Sequence, residues 1–206
     1  NQERTIPTGI EIGHGTQLVA TPTRFAQGDL KDTEDRLDMA IQGEGFFRIR
    51  MPDGQTTYTR AGSFTLDGTG NLVTPNGLPL EPSLQVPPDA EDVMIAEDGT
   101  ISTRAAGDID PTIVGSIELA LFPNPRGLQH AGRGLFKLTS AAGSEMIRTP
   151  GQQGAGIIRS GMLEMSNVKI VEEMVGMIVA QRSYEANAKS IQTADEMLGT
   201  ANTLRR

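Results

Sequence analysis

The last forty residues carry a hydrophobic repeat that predicts one long helix, from the cap residues Ser166 and Asn167 to Leu204. Apolar positions recur in it at alternating spacings of four and three residues, as in the seam of a coiled coil. The nine seam positions are Ile170, Met174, Met177, Gln181, Tyr184, Ala188, Ile191, Asp195 and Leu198. The seam is therefore predicted to pack against a partner helix, with polar interruptions at Gln181 and Asp195.

The N-terminal half of this helix is apolar almost all round, because valine and isoleucine also fall outside the seam. Leaving about eight such side chains in water, at roughly 1.5–3 kcal/mol each, would forfeit more than about 10 kcal/mol of stability. The longest apolar run, Met174 to Ala180, is far shorter than the roughly 20 residues of a membrane span, so the covering partner is expected to be protein and not lipid. The predicted subunit-interface residues are Val168, Ile170, Val171, Met174, Val175, Met177, Ile178, Gln181, Tyr184, Ala188, Ile191 and Leu198.

Residues 39–150 show the two-residue alternation of β-strands separated by short turns. Three hairpins are predicted, each closed by a turn that contains Asp-Gly. Their strands are Phe46–Arg50 with Thr56–Arg60, Ser63–Leu66 with Asn71–Thr74, and Val93–Ala96 with Thr100–Thr103. Residues 113–121 predict one further long strand that ends before Pro123. The pattern indicates an antiparallel all-β module, either a small sandwich or a barrel.

Proline and glycine divide the chain into two architectures, since all twelve prolines lie at or before Pro150 and only two of the 24 glycines lie beyond Gly161. Four parts are predicted: an extended connecting segment (1–38), a β-rich central domain (39–150), a return connecting segment (151–165) and a C-terminal coiled-coil helix (166–206). The fold class is thus mainly β with a long C-terminal α-helix. The central domain has an ordinary domain size and is expected to fold independently.

Composition narrows the possible partners. With 37% hydrophobic and 21% charged residues, the chain has the composition of a soluble folded protein. Its net charge of −8 repels phosphate backbones, and only 4% of residues are aromatic, so nucleic acid is not an expected partner. Cysteine is absent, which is compatible with export but does not establish it.

Metal and nucleotide sites find little support in the sequence. The only two histidines, His14 and His130, lie in separate glycine-rich segments without a nearby second ligand, so both are expected to be solvated loop residues. Gly43-Glu44-Gly45 lacks the third glycine of a dinucleotide-binding loop and leads into a strand, so it is expected to form a bulge or tight turn.

Acidic residues are more easily explained as surface and turn residues than as catalytic groups. The acidic run 29–38 lacks the central Gly and terminal Glu of an EF-hand loop and is expected to be a solvated face, although calcium binding stays an open alternative. The carboxylate pairs Glu97/Asp98 and Asp108/Asp110 fall in predicted turns, where such residues usually accept backbone hydrogen bonds. We therefore expect no catalytic residue, no cofactor and no metal.

Several blocks of this sequence resemble one family of proteins across most of the chain. These blocks are Ile6–Gly15, Arg24–Leu30, Leu37–Phe47, Tyr58–Phe64, Gly161–Val168 and Met177–Asn187. They are similar to the flagellar axial family, which comprises the rod and hook proteins. The first two blocks resemble the distal-rod branch in particular.

The resemblance implies a mechanical function, as a self-assembling subunit of a drive shaft that crosses the periplasm. Family members pair an N-terminal helix with the C-terminal one, and the paired helices of many subunits form an inner tube. Since this chain begins at Asn1 within the connecting segment, that N-terminal helix is expected to be missing. The implied partners are further copies of the chain, the proximal rod and hook proteins, and the ring proteins around the rod. The implied route of secretion is the flagellar export channel.

Two other functions remain open. A hook or proximal rod subunit belongs to the same class, although a hook subunit should carry a larger outer domain. A secreted carbohydrate-binding or cell-wall enzyme module of β type belongs to a different class, and it should show a cluster of aromatic residues or an acid/base pair on one sheet face. With six Phe, two Tyr and no Trp, the sequence offers little for such a surface.

Overall fold

A computed structural model describes residues 23–105 and 110–203. Within these ranges the chain forms sixteen β-strands, one short 3₁₀ turn at Pro125–Gly127 and one long helix. The strands are β1 (Leu30–Asp32), β2 (Met39–Gln42), β3 (Phe46–Arg50), β4 (Thr56–Thr59), β5 (Thr65–Leu66), β6 (Leu72–Val73), β7 (Leu80–Glu81), β8 (Ala90–Ile95), β9 (Thr100–Ala105), β10 (Thr112–Ser116), β11 (Leu119–Leu121), β12 (Gln129–Gly132), β13 (Leu135–Lys137), β14 (Met146–Arg148), β15 (Ile157–Ser160) and β16 (Met162–Glu164); the helix is α1 (Ile170–Thr203). The predicted class, mainly β with a long C-terminal helix, is confirmed.

All three predicted hairpins form. β3 pairs with β4 antiparallel, β5 with β6, and β8 with β9. The second hairpin is shorter than predicted, whereas the third extends back to a pair between Ala90 and Ala105. Local turn chemistry therefore predicted strand pairing correctly wherever the two strands follow one another directly.

The single long strand predicted over residues 113–121 is wrong. β10 ends at Ser116 and pairs with β9, whereas β11 begins at Leu119 and pairs with β3 and β14 in another sheet. Between them the backbone N–H of Ile117 donates to the carbonyl oxygen of Gly99, at 2.8 Å. The predicted alternation also fails within β10, where Ile113 is 70% exposed, Val114 packs against the core and the pairing with β9 shifts register between Ile113 and Gly115. The sequence pattern alone could locate neither this bulge nor the change of sheet.

The strands form one seven-stranded sheet, one three-stranded sheet and three two-stranded ribbons, and the described chain does not close into a barrel. The large sheet has the order β12-β13-β4-β3-β11-β14, with β7 paired to β3, and the three-stranded sheet has the order β10-β9-β8. The barrel alternative is therefore excluded.

Two clusters of buried side chains hold the β module together. The larger cluster contains Met39, Ile41, Phe47, Ile49, Phe64, Leu72, Leu80, Leu84, Ile101, Ile117, Leu119, Leu121, Leu135, Ala155 and Ile158. The smaller cluster contains Phe46, Tyr58, Ala120, Phe122, Leu128, Phe136 and Ala142. Adjacent residues of β3 serve different clusters, because successive side chains of a strand point to opposite faces.

Both segments predicted to be connectors contain strands. β1 pairs with β16, and β15 pairs with β2. Ile158, within the predicted return connector, is almost fully buried in the larger cluster. The segments that precede and follow the β module are therefore paired with each other and with the module just before α1 begins. The domain boundary at Pro150 stays a prediction that fragment experiments can decide.

The helix begins at Ile170, so the prediction that Ser166 and Asn167 cap it is wrong. Its first hydrogen bond runs from the N–H of Glu173 to the carbonyl oxygen of Lys169, at 3.1 Å. Ser166 Oγ instead accepts from the N–H of Val168, at 3.2 Å, before the helix starts. Cap-type residues also form such turns on their own, which is why the sequence placed the start too early.

Candidate assembly interface

The predicted interface residues of α1 are exposed in the single chain. The apolar side chains that are more than half exposed are Val168, Ile170, Val171, Met174, Val175, Met177, Ile178, Val179, Tyr184, Ile191, Met197 and Leu198. Gln181 is likewise exposed, and Ala188 is half-buried. No other element of the described chain lies over this surface, so the predicted seam has no intramolecular partner there. No helix of the described chain is long and apolar enough to cross a membrane.

Arg60 anchors the base of this helix through four hydrogen bonds and an ion pair. Its Nε donates to Glu164 Oε2 at 2.9 Å, and its Nη2 forms an ion pair with the same oxygen at 2.8 Å. Nη1 donates to the carbonyl oxygens of Gly43 at 2.9 Å and Gly45 at 3.0 Å, and Nη2 to that of Ile41 at 3.1 Å. The Arg60 and Glu164 side chains are only 16% and 11% exposed. One guanidinium thus joins β16, next to the helix, to the turn between β2 and β3.

The incoming segment, residues 23–29, is also attached to the base of α1. The other oxygen of Glu164 accepts from the N–H of Gly28 at 2.9 Å, and the N–H of Met165 donates to the carbonyl oxygen of Asp29 at 2.8 Å. A Cβ at Gly28 would come within 1.9 Å of the Met165 carbonyl oxygen, so only glycine fits there. Asn167 Nδ2 donates to the carbonyl oxygen of Ala26, at 2.6 Å. Asn167, one of the two residues predicted to cap the helix, therefore ties its base to the incoming chain.

Residues 25 and 27 attach this segment to the β module. The Gln27 amide donates to the carbonyl oxygen of Ile41 at 2.8 Å and accepts from the N–H of Gly43 at 3.0 Å. Phe25 packs its ring edge-on against Phe46 and Phe136, with centroids 5.4 and 5.1 Å away. Sequence reasoning noted this segment only as part of a resemblance block, because neither residue belongs to a periodic pattern.

A second ionic cluster surrounds Arg48 on the large sheet, and it was not predicted. Arg48 Nε donates to Glu145 Oε1 at 2.7 Å, and the guanidinium lies 3.4 Å from Glu118 and 3.6 Å from Glu81. Burial and the nearby Glu145 carboxylate raise the pKa of Tyr58, the cross-strand neighbour of Arg48, well above its usual range. The sequence contained a sign of this cluster. Arg48 lies two residues after Phe46 and therefore on the same face of the strand, so it was expected to be partly buried.

Burial would raise the pKa of Glu81, but its other contacts outweigh this effect. The Thr56 hydroxyl donates to it at 2.9 Å, and the charges of Arg48 and Arg50 favour the carboxylate. The net result is a lowered pKa. Glu81 is therefore ionised near neutral pH, and the geometry of the cluster is that of a structural ion-pair network.

Asp98 accepts a backbone hydrogen bond in its turn, as predicted, and Asp67 forms similar contacts that were not specifically predicted. Asp67 accepts from the Thr69 hydroxyl and from the N–H groups of Thr69 and Asn71, which lowers its pKa to about 2. Asp98 accepts from the N–H of Thr100 at 2.9 Å, which also lowers its pKa. These contacts are local turn hydrogen bonds, as expected for Asp in such loops. Of the other pairs considered, Glu97 forms an ion pair with Arg159, and Asp108 lies outside the described residues.

Gly43-Glu44-Gly45 forms the predicted tight turn. Both glycines have positive φ angles, of 117° and 139°, and a Cβ at Gly43 would come within 2.8 Å of the Gly156 Cα. His130 lies exposed on β12 beside the ring of Phe136, and His14 lies outside the described residues. Among the described residues, no three His, Asp or Glu side chains are arranged to hold a metal ion.

The acidic run is tied into local turns and the ribbon. Asp32 and Asp35 accept from the N–H groups two residues onward, and Arg36 forms an ion pair with Asp92. Asp38 is buried at the entry to the β module. Its carbonyl oxygen accepts from the N–H of Gly161 at 2.8 Å. The carboxylates thus serve several separate contacts and do not converge on one point.

Comparison with known proteins identifies both halves of this arrangement. A family model described as the flagellar hook protein FlgE/F/G D1 domain matches residues 40–103, and one described as the flagellar basal body rod FlgEFG protein C-terminal matches residues 159–204. The flagellar basal-body rod protein FlgG of Borreliella burgdorferi is 46% identical over 202 residues, which cover 97% of this chain and 76% of that protein. The proteins of the same name from Buchnera aphidicola subsp. Acyrthosiphon pisum (43%; 95% and 75%) and Caulobacter vibrioides (39%; 97% and 76%) are also similar. This chain therefore belongs to the family of flagellar basal-body rod proteins.

Proposed function

We propose that this chain is a distal-rod subunit that polymerises through α1 into a helical tube and thereby transmits torque from the motor to the hook. The observation that carries this proposal is the long, uncovered apolar surface of α1. A tube built from packed helices would cover that surface in every subunit. The anchored base of the helix would then pass load to the β module.

Membership of the family defines the class of function. The chain is a structural subunit of the flagellar basal-body rod, not an enzyme, and it assembles with other flagellar components. The hook subunit and the secreted carbohydrate-binding module are not favoured, because the similar proteins are rod proteins. Contacts with the proximal rod, the hook and the surrounding rings are part of the proposal and rest on the family resemblance.

The energetics support helix-mediated assembly. Twelve apolar side chains of residues 168–198 are more than half exposed. Covering each would contribute about 1 kcal/mol, so complete burial would contribute roughly 10 kcal/mol per subunit before the cost of association. The methionines among them, such as Met174 and Met177, can fit slightly different neighbours in a helical array because their side chains are flexible.

The decisive experiment replaces Met177 and Ile178 together by Asp. Both side chains are at least half exposed in the single chain, so the β module should keep its melting temperature. In a packed tube, each uncompensated buried charge would cost several kcal/mol in every subunit. We expect cells producing the variant to secrete the protein but to lack rods beyond the proximal part and to be non-motile.

The matched control is Glu185→Gln, on the more polar half of the same helix. It removes one exposed charge at the i,i+4 spacing from Lys189, an interaction worth at most roughly 0.3–0.5 kcal/mol, so rods and motility should be normal. Normal, motile rods from the double-Asp variant would show that α1 is not the assembly element.

A further inference from the structure

The most exposed methionines of this chain lie at the base of α1 or within it. All nine methionines belong to the described residues, and four of them are at least half exposed: Met165, Met174, Met177 and Met197. Of the other five, none is more than 38% exposed, and Met39 is fully buried in the β module. An oxidant dissolved in water therefore reaches the sulfur atoms near and on the helix most easily.

Two of these four methionines occupy the seam of α1. Met174 and Met177 are three residues apart, so their side chains are neighbours on one face of the helix, and they are 57% and 60% exposed. The run 174–180 contains no polar or charged side chain that could donate a hydrogen bond to a modified sulfur. Met165 precedes the helix and Met197 lies outside the seam. The pair at 174 and 177 is thus the place where added polarity would disturb packing most.

Oxidation would add polarity at this pair. Hydrogen peroxide transfers one oxygen atom to a thioether sulfur: its O–O bond breaks, an S=O bond forms, the sulfur loses two electrons, and the peroxide is reduced to water. The sulfoxide product is polar and chiral and disrupts methionine-rich interfaces, and methionine sulfoxide reductases convert it back to the thioether. Its oxygen is a hydrogen-bond acceptor, and burying an acceptor without a donor is unfavourable.

We infer that Met174 and Met177 form an oxidation site that controls assembly: peroxide converts them to sulfoxides in the free subunit, and the oxidised subunit does not join the tube. This inference rests on the proposed function, since it requires the seam to be covered in the assembled rod. Packing of the seam encloses both sulfur atoms, so oxidation acts on subunits before they assemble and finished rods resist it. Reduction of both sulfoxides makes the subunit competent again.

Leucine substitutions test the site, because leucine has nearly the volume of methionine and no sulfur to oxidise. Cells are induced to produce the chain with and without hydrogen peroxide, and electron microscopy gives the ratio of new rods in treated and untreated cells of each strain. With the unsubstituted chain, peroxide should reduce new rods at least tenfold. With Met174→Leu and Met177→Leu combined, the reduction should be less than twofold. The matched control combines Met165→Leu with Met197→Leu, and it should stay as sensitive to peroxide as the unsubstituted chain.

Peptide mass spectrometry of the same treated cells gives a second measurement. The sulfoxides of Met174 and Met177 should be at least tenfold more frequent in free subunits than in rods. Equal peroxide sensitivity of the two double-leucine strains, equal sulfoxide frequency in rods and free subunits, or normal numbers of new rods in treated cells of the unsubstituted strain would each overturn the inference. These outcomes leave the proposed function intact, because that proposal fails only if the Met177/Ile178 double-Asp variant builds normal rods, which is tested without an oxidant.

Discussion

Replacing Arg60 by methionine should destabilise the folded chain far more than replacing an exposed arginine. Methionine keeps much of the apolar stem but removes all five donors. The Glu164 carboxylate, only 11% exposed, then keeps just the N–H of Gly28 as its partner. The carbonyl oxygens of Gly43 and Gly45 lose the guanidinium as well.

The expected loss follows from burial. Removing one partner of a fully buried ion pair costs about 3–5 kcal/mol. Because the Arg60 and Glu164 side chains keep 16% and 11% of their exposure, water can partly replace the lost donors, and we expect about 2–4 kcal/mol. At about 2–4 °C per kcal/mol for a chain of this size, the melting temperature should fall by roughly 5–15 °C.

Thermal and urea unfolding followed by circular dichroism would measure this loss. Arg104→Met is the matched control, since its pair with Asp92 leaves Arg104 about half exposed and should be worth at most about 1 kcal/mol. Arg60→Lys should recover only part of the stability, because an ammonium group keeps the charge but not the planar fork. If Arg60→Met lowers the free energy of unfolding no more than Arg104→Met does, the contacts of Arg60 do not hold the helix base to the β module.

Three further outcomes are expected from the same structure. Since the pKa of Tyr58 is raised, its neutral form stabilises the fold below about pH 10, and this contribution is lost as the pH rises further, so Tyr58→Phe should unfold less steeply in alkali. Since the pKa of Asp67 is lowered to about 2, its contribution is present above about pH 4 and lost as the pH falls through about 2, so Asp67→Asn should flatten acid unfolding in that window. In calorimetry, a fragment of residues 23–165 should melt at a higher temperature than fragment 39–150, which lacks β15 and the buried Ile158; equal melting temperatures would show that the return segment is only a connector.

The sequence by itself determined those features that depend on residues close to one another along the chain. The Asp-Gly turns close the hairpins that they flank, and the four-three spacing of apolar residues produces α1 with one continuous exposed stripe. The tight turn at Gly43-Glu44-Gly45 was also predictable, because glycine and turn polar groups act on their own backbone. The family resemblance then supplied the function that these patterns alone did not.

The tertiary structure alone decided which distant segments meet. Residues 113–121 alternate in sequence, yet the chain passes from one sheet to another within them, so only the neighbouring strands determine the break after Ser116. The Glu164 contact with Gly28 spans 136 residues, and that with Arg60 spans 104. Arg60 itself belongs to no periodic pattern. A local sequence pattern indicates which face of a strand or helix a side chain occupies, whereas its distant partner depends on how the whole fold packs. This is why the anchored helix base could be found only in the structure.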